Sequence, residues 1–342
     1  MNELIIENLG ISYQEKEVQT NTSKKNIITN NFSLRVKRGE LIVLLGPSGC
    51  GKSSLLTAIS GLKTPDHGSI RFGDHIFYSK EENILMPAEK RNIGFVFQSY
   101  ALWPHMNVYQ NIAFPLKARG HKKSFIKKRV HDMLEITHMT EYANRYPSDL
   151  SGGEKQRIAI ARSLAYEPAL LLLDEPLANL DAHLKSTLIK EIKELQRQLN
   201  LTTIYVTHDQ QEAFEIADQI VIMNKGKIMQ QGNPMDIYNN SDNLFVAEFI
   251  GKNNIINAKE PGFSRFFKQC HRRKNISIRP EDIQISSNGK HTGIIRNIRY
   301  RGSYTEYIVV SNDRKLIIHA PDRYSNKIGD TIAFNIHKFH SF

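Results

Sequence analysis

Short apolar runs alternate with longer segments of helical periodicity between residues 40 and 224. The runs are rich in leucine and β-branched residues, and each is about as long as a buried strand. Alternation of this kind is typical of βαβ units that form a mostly parallel sheet with helices on its faces. The predicted strands span residues 40–45, 92–97, 170–174, 203–207 and 219–224.

Two further segments have distinct patterns. Residues 182–199 carry apolar side chains at helical spacing with lysine and glutamate opposite, which predicts an amphipathic surface helix. Residues 14–30 are polar and rich in Asn, Thr and Lys, which predicts a long loop between two edge strands. The apolar stripe of the predicted helix consists of Leu184, Leu188, Ile192, Leu195 and Leu199.

The pattern changes after about residue 240. A short helical segment at residues 244–250 leads into alternating apolar and polar positions separated by Gly, Ser, Asn and Asp. We therefore predict a first domain over residues 1–240, and over residues 241–342 a linker helix with a small all-β barrel. The predicted tail strands span residues 275–279, 293–300, 306–310 and 315–319.

The chain has 342 residues and a formal charge of +11, and that charge is unevenly distributed. Residues 241–342 hold 17 Lys+Arg and 9 Asp+Glu, so they account for +8. We interpret this excess as a solvated basic face, or one attracted to an anionic membrane surface, and predict no nucleic-acid partner. Nucleic acid is the alternative that this charge leaves open.

Neither a membrane span nor a secretory signal is expected from the sequence. The longest apolar stretches, residues 41–45 and 169–173, are far shorter than the ~20 residues that cross a bilayer. The first residues include acidic side chains and lack a basic segment followed by a long apolar one. Two cysteines, Cys50 and Cys270, form neither a disulfide framework nor a metal site, so we expect a cytoplasmic location.

A complete phosphate-binding loop follows the first predicted strand of the parallel sheet. The sequence Gly-Pro-Ser-Gly-Cys-Gly-Lys-Ser precedes a helix-forming run, which is the context that this motif requires. Backbone N–H groups of such a loop surround phosphate oxygens, Lys52 bridges the β- and γ-phosphates, and the Ser53 hydroxyl coordinates Mg²⁺. The predicted nucleotide-binding residues here are Gly46, Pro47, Ser48, Gly49, Cys50, Gly51, Lys52, Ser53 and Ser54.

Two carboxylates follow the apolar run at residues 170–173. Asp174 and Glu175 are thereby placed at the carboxyl end of a buried strand, where ligands of α/β proteins bind. We predict that Asp174 holds Mg²⁺ through water and that Glu175 polarises the attacking water, with capping of the next helix as the alternative role for Glu175. These motifs indicate a P-loop nucleotide hydrolase, a class that includes kinases, helicases and GTPases.

A third motif narrows this class. The sequence Leu-Ser-Gly-Gly-Glu-Lys-Gln at residues 150–156, here the signature segment, ends 18 residues before Asp174. Ser151, Gly152 and Gly153 open a helix, so a hydroxyl and free N–H groups are available to a second phosphate. The segment closely resembles the signature motif of ATP-binding-cassette (ABC) ATPases. That resemblance implies a homodimer in which each signature segment closes over the ATP held by the other subunit.

Other motifs of this family occur in the expected order. Gln98 matches the glutamine that reaches toward the metal and the attacking water. His208 matches the switch histidine that contacts the γ-phosphate and keeps Glu175 oriented. Asp181 ends a segment that matches the loop linking the two sites, and Tyr13 matches the aromatic residue that stacks on adenine. The resemblance thus implies ATP and Mg²⁺ as cofactors, with Ser53, Gln98 and Asp174 near the metal.

The segment after Gln98 contains the single tryptophan, Trp103. In the ABC family this region belongs to a helical subdomain, here about residues 99–165, whose groove receives a short helix of the membrane subunit. An ordinary core position is the alternative for Trp103. Aromatic and methionine side chains favour interfaces. The candidate lining residues are Tyr100, Leu102, Trp103 and Met106.

The tail resembles the transport-associated barrel of importer ATPases for sugars, polyamines, ferric iron, sulfate and phosphonates. The residues that carry this resemblance are 277–283 and 293–298. The resemblance implies an importer subunit at the cytoplasmic face of the membrane, with transmembrane permease subunits and, indirectly, a substrate-binding protein as partners. The short tail favours ferric iron as cargo, with polyamine, sugar or phosphonate as alternatives. A soluble ABC ATPase without a transport role is the alternative class.

Overall fold

The structure is a computed structural model that describes residues 3–16, 23–257, 275–321 and 326–342. The chain divides into two compact units, residues 1–234 and residues 235–342. The sequence predicts this division at residue 240.

A six-stranded sheet forms the centre of the first unit. Its strand order is β11-β10-β3-β9-β8-β7, in which only the edge strand β11 runs antiparallel to its neighbour. Residues of β3 and β9 are buried throughout, as expected for strands with helices on both faces. The predicted strands are confirmed to within a residue or two at each end. The bounds are β3 Leu41–Leu45, β7 Ile93–Val96, β8 Leu170–Asp174, β9 Thr202–Thr207, β10 Gln219–Asn224 and β11 Lys227–Gly232.

A second, antiparallel sheet has the order β2-β1-β4-β5-β6. It shares one hydrophobic cluster with the central sheet and with the helix that follows the phosphate loop. Cluster members from both sheets and that helix include Ile6, Leu34, Leu44, Leu56, Ile70 and Leu172. The strands are β1 Leu4–Lys16, β2 Ser23–Val36, β4 His67–Phe72, β5 His75–Ser79 and β6 Ile84–Leu85.

The prediction of a loop over residues 14–30 is wrong for residues 14–16 and 23–30, which belong to β1 and β2. Residues 17–22 lie outside the described residues. The two strands pair antiparallel up to Lys16 opposite Ser23, so their backbone groups are satisfied by the ladder. A ribbon at a sheet edge tolerates polar side chains because little of it faces a core. Polar composition therefore does not distinguish it from a loop.

Three of the helices lie within residues 99–165, where the helical subdomain is predicted, and they contact one another. The helix at residues 52–60 ends at Gly61, and the helix at residues 182–198 begins after an Asp181 cap. Both residue types are common at these helix termini. The predicted amphipathic helix 182–199 is confirmed as α5, although Leu199 lies beyond its last turn and is exposed. The helices are α1 Lys52–Ser60, α2 Val108–Ala118, α3 Lys123–Ile136, α4 Gly152–Leu164, α5 Ala182–Gln198 and α6 Gln210–Ile216.

The second unit begins with two short helices, α7 Pro234–Asn239 and α8 Leu244–Phe249. It contains a three-stranded sheet, β12-β13-β19, and a five-stranded sheet, β14-β18-β15-β16-β17, which together bury one core that includes Ile278, Ile295 and Tyr307. This confirms the predicted all-β tail. Its strands are β12 Asn254–Asn257, β13 Asn275–Ile278, β14 Ile283–Ile285, β15 His291–Tyr300, β16 Thr305–Ser311, β17 Arg314–Ala320, β18 Thr331–Ile336 and β19 His340–Ser341.

Among the described residues, no helix has the length and apolar character needed to span a bilayer.

Candidate active site

The phosphate loop connects β3 to α1, and its lysine is buried against the loop itself. Lys52 Nζ donates hydrogen bonds to the carbonyl oxygens of Gly46 at 2.8 Å and Pro47 at 3.0 Å. Gly51 has a φ of +105°, a conformation that side chains with a Cβ rarely adopt. A Cβ at Gly46 would lie 2.3 Å from the carbonyl oxygen of Met223. The loop therefore requires its glycines, and Lys52 Nζ is held where a phosphate can replace the carbonyls.

A hydroxyl and a carboxylate meet beside this loop. Ser53 Oγ donates to Asp174 Oδ1 at 2.8 Å, which joins the start of α1 to the end of β8. Burial raises the pKa of the Asp174 carboxyl, with a further rise from the Glu175 charge, while the Ser53 hydrogen bond and Lys52 oppose the rise. Nearby oxygen donors of this type are those that Mg²⁺ prefers, and a cation would offset the cost of burying the carboxylate. The pair therefore fits a magnesium site.

Glu175 lies directly after β8 in a left-handed conformation, with a φ of +43°. Its Oε2 atom is 3.1 Å from His208 Nδ1 and accepts a 3.4 Å hydrogen bond from Gln98 Nε2. A non-glycine residue with positive φ costs about 1–2 kcal/mol, so this conformation persists only where surrounding contacts hold it. The structure therefore brings together the three residues predicted to be catalytic, although they are far apart in the sequence.

A buried network behind His208 was not anticipated from the sequence. Glu212 Oε2 accepts hydrogen bonds from Tyr205 Oη at 3.0 Å and Thr207 Oγ1 at 2.8 Å, and Lys185 Nζ lies 2.9 Å from Oε1. Burial and then the nearby Glu212 charge raise the pKa of Tyr205 well above its usual value. Tyr205 and Thr207 are two positions apart on β9, so their side chains lie on the same face of the strand. This spacing of two polar side chains was a sequence signal for such a network.

The network connects to the segment that carries His208. Thr207 Oγ1 accepts a hydrogen bond from the backbone N–H of Asp209 at 3.0 Å, and Asp209 caps α6 through the N–H groups of Gln211 and Glu212. These bonds fix the backbone on the carboxyl side of His208, so its ring is presented to Glu175 from a constrained turn.

Tyr13, predicted to stack on adenine, lies close to the helix that follows the phosphate loop. Its hydroxyl is 3.3 Å from Ser54 Oγ, and Lys63 Nζ lies 3.1 Å from the centroid of its ring. The side chain is 43% exposed. An exposed aromatic ring beside the phosphate loop is suitably placed for a base.

The signature segment has the geometry of a helix start. The Ser151 side chain accepts a hydrogen bond from the Glu154 N–H, and Glu154 Oε2 accepts from the Ser151 N–H at 2.7 Å, which is a capping box. A Cβ at Gly152 or Gly153 would lie 2.7 Å from a leucine side-chain carbon, so both glycines permit close packing.

Asp181 caps α5, with Oδ1 accepting from the Leu184 N–H at 2.9 Å. Within the described part of the chain, no hydrogen bond or ion pair joins Ser151 or Asp181 to the phosphate loop. The two predicted site residues therefore stand apart from the residues around Lys52.

Comparisons with known proteins decide the family. A model described as ABC transporter matches residues 29–178, and a model described as TOBE domain matches residues 276–340. The chain is 41% identical over 325 residues to the spermidine/putrescine import ATP-binding protein PotA of Clostridium novyi, covering 90% of this chain and 91% of that protein. The chain belongs to the family of ABC transporter ATPases.

Two further similarities fit this ABC assignment. The trehalose/maltose import ATP-binding protein MalK of Thermococcus litoralis is 50% identical over 220 residues, which are 64% of this chain and 59% of that protein. A solved dimer of the ATP-binding cassette MJ0796, in a post-hydrolysis state with ADP and Pi, superposes with a TM-score of 0.58 at 28% identity. It covers 68% of this chain and 98% of that cassette. The predicted fold class and the predicted ATPase activity, coupled to transport, are confirmed.

Proposed function

We propose that this ABC ATPase hydrolyses ATP at the site formed by Lys52, Ser53, Asp174 and Glu175 and thereby powers import through separate membrane subunits. The observation that carries the proposal is the position of Glu175. Its carboxylate is held by Gln98 and His208 and follows directly after Asp174, the carboxylate bonded to Ser53. This arrangement supports a reaction in which water attacks a phosphate bound at the adjacent loop.

In this mechanism each residue has a distinct task. Lys52 Nζ exchanges the carbonyls of Gly46 and Pro47 for the β- and γ-phosphates. Ser53, Asp174 and Gln98 would hold Mg²⁺, which would offset charge on the phosphate oxygens. Glu175 orients the attacking water and accepts its proton, because a general base must lie beside the nucleophile. His208 keeps the Glu175 carboxylate in place and donates to the γ-phosphate.

In this proposal a second copy of the chain completes the ATP site by supplying its signature segment. Ser151 and the N–H groups at the start of α4 are a phosphate-binding element, and among the described residues Ser151 forms no hydrogen bond or ion pair with the phosphate loop of its own chain. The dimeric state of the solved MJ0796 cassette supports the same arrangement here. Asp181 and Tyr13 then contribute between the two sites and at the adenine, respectively.

The partners proposed are transmembrane permease subunits, and through them a substrate-binding protein. The contact surface is the part of the helical subdomain that carries Trp103, whose ring packs 4.1 Å from that of Phe114. Tyr100, Leu102, Trp103 and Met106 are partly buried and supply the apolar lining. In this proposal the ATPase is a peripheral subunit on the cytoplasmic face of the membrane.

The cargo we propose is a polyamine. Similarity to the Clostridium novyi polyamine importer subunit covers nine-tenths of both chains and so includes the tail. The MalK match has higher identity but covers only 64% of this chain, which makes a sugar the second candidate. The preference for ferric iron drawn from the short tail is not supported by these relatives. Tail length is a poor guide to the cargo because, in this proposal, the permease and its binding protein recognise the cargo and the ATPase does not.

Purified chain should hydrolyse ATP in the presence of Mg²⁺, and Lys52→Ala should abolish it by weakening nucleotide binding. In proteoliposomes with the cognate permease, spermidine-loaded binding protein should stimulate hydrolysis and maltose-loaded binding protein should not. Stimulation by maltose-loaded but not by spermidine-loaded binding protein would replace the polyamine by a sugar as the proposed cargo. An unchanged ATP affinity of the Lys52→Ala variant would refute the role of the phosphate loop.

A further inference from the structure

The segment that follows Gln98 has an uncommon backbone. Tyr100 and Ala101 are consecutive non-glycine residues with positive φ, +63° and +49°. Each such residue costs about 1–2 kcal/mol in isolation. Residues 98–103, here called the Q-segment, therefore keep this conformation only if contacts from outside the segment hold it.

Arg162 on α4 provides those contacts. Its Nη1 donates to the Ala101 carbonyl oxygen at 2.6 Å, and its Nη2 donates to the Tyr100 carbonyl oxygen at 2.8 Å. The residue is 8% exposed, and burial lowers its pKa to about 10, so the guanidinium is still charged at neutral pH. A planar fork of donors matches two adjacent carbonyls in a way that a lysine ammonium cannot.

The same guanidinium reaches the far end of the Q-segment. The Arg162 Cζ atom lies 4.9 Å from the centroid of the Trp103 ring, within the range of a cation–π contact. The Trp103 backbone N–H in turn donates to Asn111 Oδ1 on α2 at 2.8 Å. One side chain thus binds the two left-handed residues and the aromatic residue of the proposed permease surface.

Helix α4 also meets the Q-segment near its own start. A Cβ built on Gly152 would lie 3.7 Å from the Tyr100 hydroxyl, one residue from Ser151. Gln98, at the beginning of the Q-segment, donates to Glu175 through a long hydrogen bond of 3.4 Å. Rearrangement of Gln98 around a bound nucleotide therefore acts on a segment whose next residues are fixed to α4.

We propose that Arg162 is a positioning residue that transmits nucleotide-dependent movement of Gln98 to Trp103 and to helix α4. In this proposal Arg162 acts through its hydrogen bonds to the carbonyls of Tyr100 and Ala101 and not through contact with ATP or Mg²⁺. The proposal rests on ATP being the bound nucleotide, as in the proposed function. It adds a residue that couples the nucleotide site to the surface around Trp103.

Trp103 is the single tryptophan of the chain, so its emission reports on this segment directly. The experiment adds Mg²⁺ and the non-hydrolysable analogue AMP-PNP to the wild type and to Arg162→Lys. It measures tryptophan emission and acrylamide quenching, and in parallel the analogue affinity by isothermal titration calorimetry. We expect a nucleotide-dependent change in the wild type and its loss in R162K. The affinities should agree within about threefold, because the proposal gives Arg162 no contact with the nucleotide.

Arg129→Lys is the matched control. Arg129 Nε and Nη2 donate to the carbonyls of Ala165 and Leu164 at 2.9 and 3.0 Å, so R129K removes the same type of fork at the end of α4 without touching the Q-segment. R129K should keep the wild-type response. An unchanged response in R162K, or an equal loss in both variants, would overturn the proposal. A wild type that binds AMP-PNP without any response from Trp103 would also overturn it. A wild type that does not bind the analogue would overturn the proposed function as well.

A double variant separates backbone positioning from general damage to the fold. Glycine accepts positive φ at no steric cost, so Ala101→Gly in the R162K background lowers the energy of the conformation that Arg162 holds. We expect R162K/A101G to regain part of the Trp103 response at a melting temperature close to that of R162K. Failure to regain any response while both variants are folded would contradict the positioning role.

Discussion

Two carboxylates of this protein, Glu175 in the first unit and Glu306 in the second, are held in opposite ways. Glu175 is bonded to Gln98 and to a histidine, and it keeps 19% of its side chain exposed. Glu306 is 1% exposed and bonded to Lys252, with Arg299 and Arg301 at 3.4 and 3.6 Å. One carboxylate has partners that carry no permanent charge, and the other is surrounded by cations.

The surroundings of a carboxylate separate a reactive group from a structural one. Burial opposes ionisation of Glu306, but the hydrogen bond and charge of Lys252, followed by the charge of Arg301, outweigh it and lower the pKa of Glu306 to about 2. Such a group has no affinity left for a proton near neutral pH. Glu175 has no arginine or lysine ion pair among the described residues, so its charge remains available to a water molecule.

Removal of the Glu175 charge should have the strongest effect on activity. Glu175→Gln keeps the shape of the side chain and its contacts with Gln98 and His208, but it removes the base. We expect ATP hydrolysis to fall by at least about 100-fold, the usual contribution of a general base. Binding of ATP and ATP-dependent dimers should persist. Steady-state hydrolysis and size-exclusion chromatography measure the two properties.

The matched control is Glu306→Gln, which makes the same chemical change in the cation-bound carboxylate. Its hydrolysis rate should stay within about twofold of the wild type, because a structural carboxylate has no role in proton transfer. Near wild-type hydrolysis in E175Q, or equal losses in both variants, would remove the distinction between the two carboxylates.

A second test asks whether Ser151 of a second copy completes the Glu175 site. Lys52→Ala and Ser151→Arg should each be inactive alone, the first through lost phosphate binding and the second through a bulky cation in the dimer interface. If each site combines Lys52 of one copy with Ser151 of the other, a mixed dimer contains one intact site. Random mixing should then restore about a quarter of the wild-type rate.

The outcome of mixing distinguishes the two geometries. Sites made within one chain would stay inactive in every mixed dimer, because each chain then carries a defect in its own site. Mixing of K52A with E175Q, which both alter the same side of the site, is the control that should restore nothing. Restoration in that control, or none with Ser151→Arg, would rule out the shared site.

The sequence predicts most of the Glu175 site and little of what surrounds it. Lys52, Ser53, Asp174 and Glu175 are found because short motifs at strand ends fix their geometry locally. The Glu212 network was missed although Tyr205 and Thr207 lie two positions apart on β9 and so share a face. Arg162 was missed because its hydrogen bonds to residues 61 and 62 positions away leave no local pattern. The polar β1–β2 ribbon was mistaken for a loop for the same reason, since its stabilising ladder is set by pairing.

The third test measures the structural role of Glu306. E306Q leaves Lys252, Arg299 and Arg301 without their anion, and we expect the second unit to lose about 2 kcal/mol of stability. The loss is moderate because these cations are about half exposed and regain hydration. Hydrogen exchange of the β16 and β17 amides reports this unit specifically, since Trp103 reports only the first. Glu248→Gln, an exposed glutamate of α8, is the control.

The same carboxylate predicts a pH dependence. Because the pKa of Glu306 is lowered from 4.5 to about 2 in the folded protein, its stabilisation is fully present above about pH 4.5 and is lost as the pH falls toward 2. Unfolding of the second unit between pH 5 and pH 3 should therefore depend less on pH in E306Q than in the wild type. Parallel curves for the two proteins would assign the acid sensitivity to other groups.

The smallest effect on stability is expected at a third carboxylate, Asp181. Its partner is a backbone N–H group, whereas the partners of Glu306 are cations. Its Oδ1 accepts from the Leu184 N–H at the start of α5. Asp181→Ala removes this cap and should cost about 1 kcal/mol, whereas Asp181→Asn keeps an equally good cap and should cost almost nothing. Thermal unfolding of the two variants measures the difference. If hydrolysis falls equally in both while only D181A is destabilised, the charge of Asp181 acts in the dimeric site and not through the helix. If hydrolysis follows stability in both, Asp181 is a cap alone, and Glu175 is then the only one of these three carboxylates that acts in catalysis.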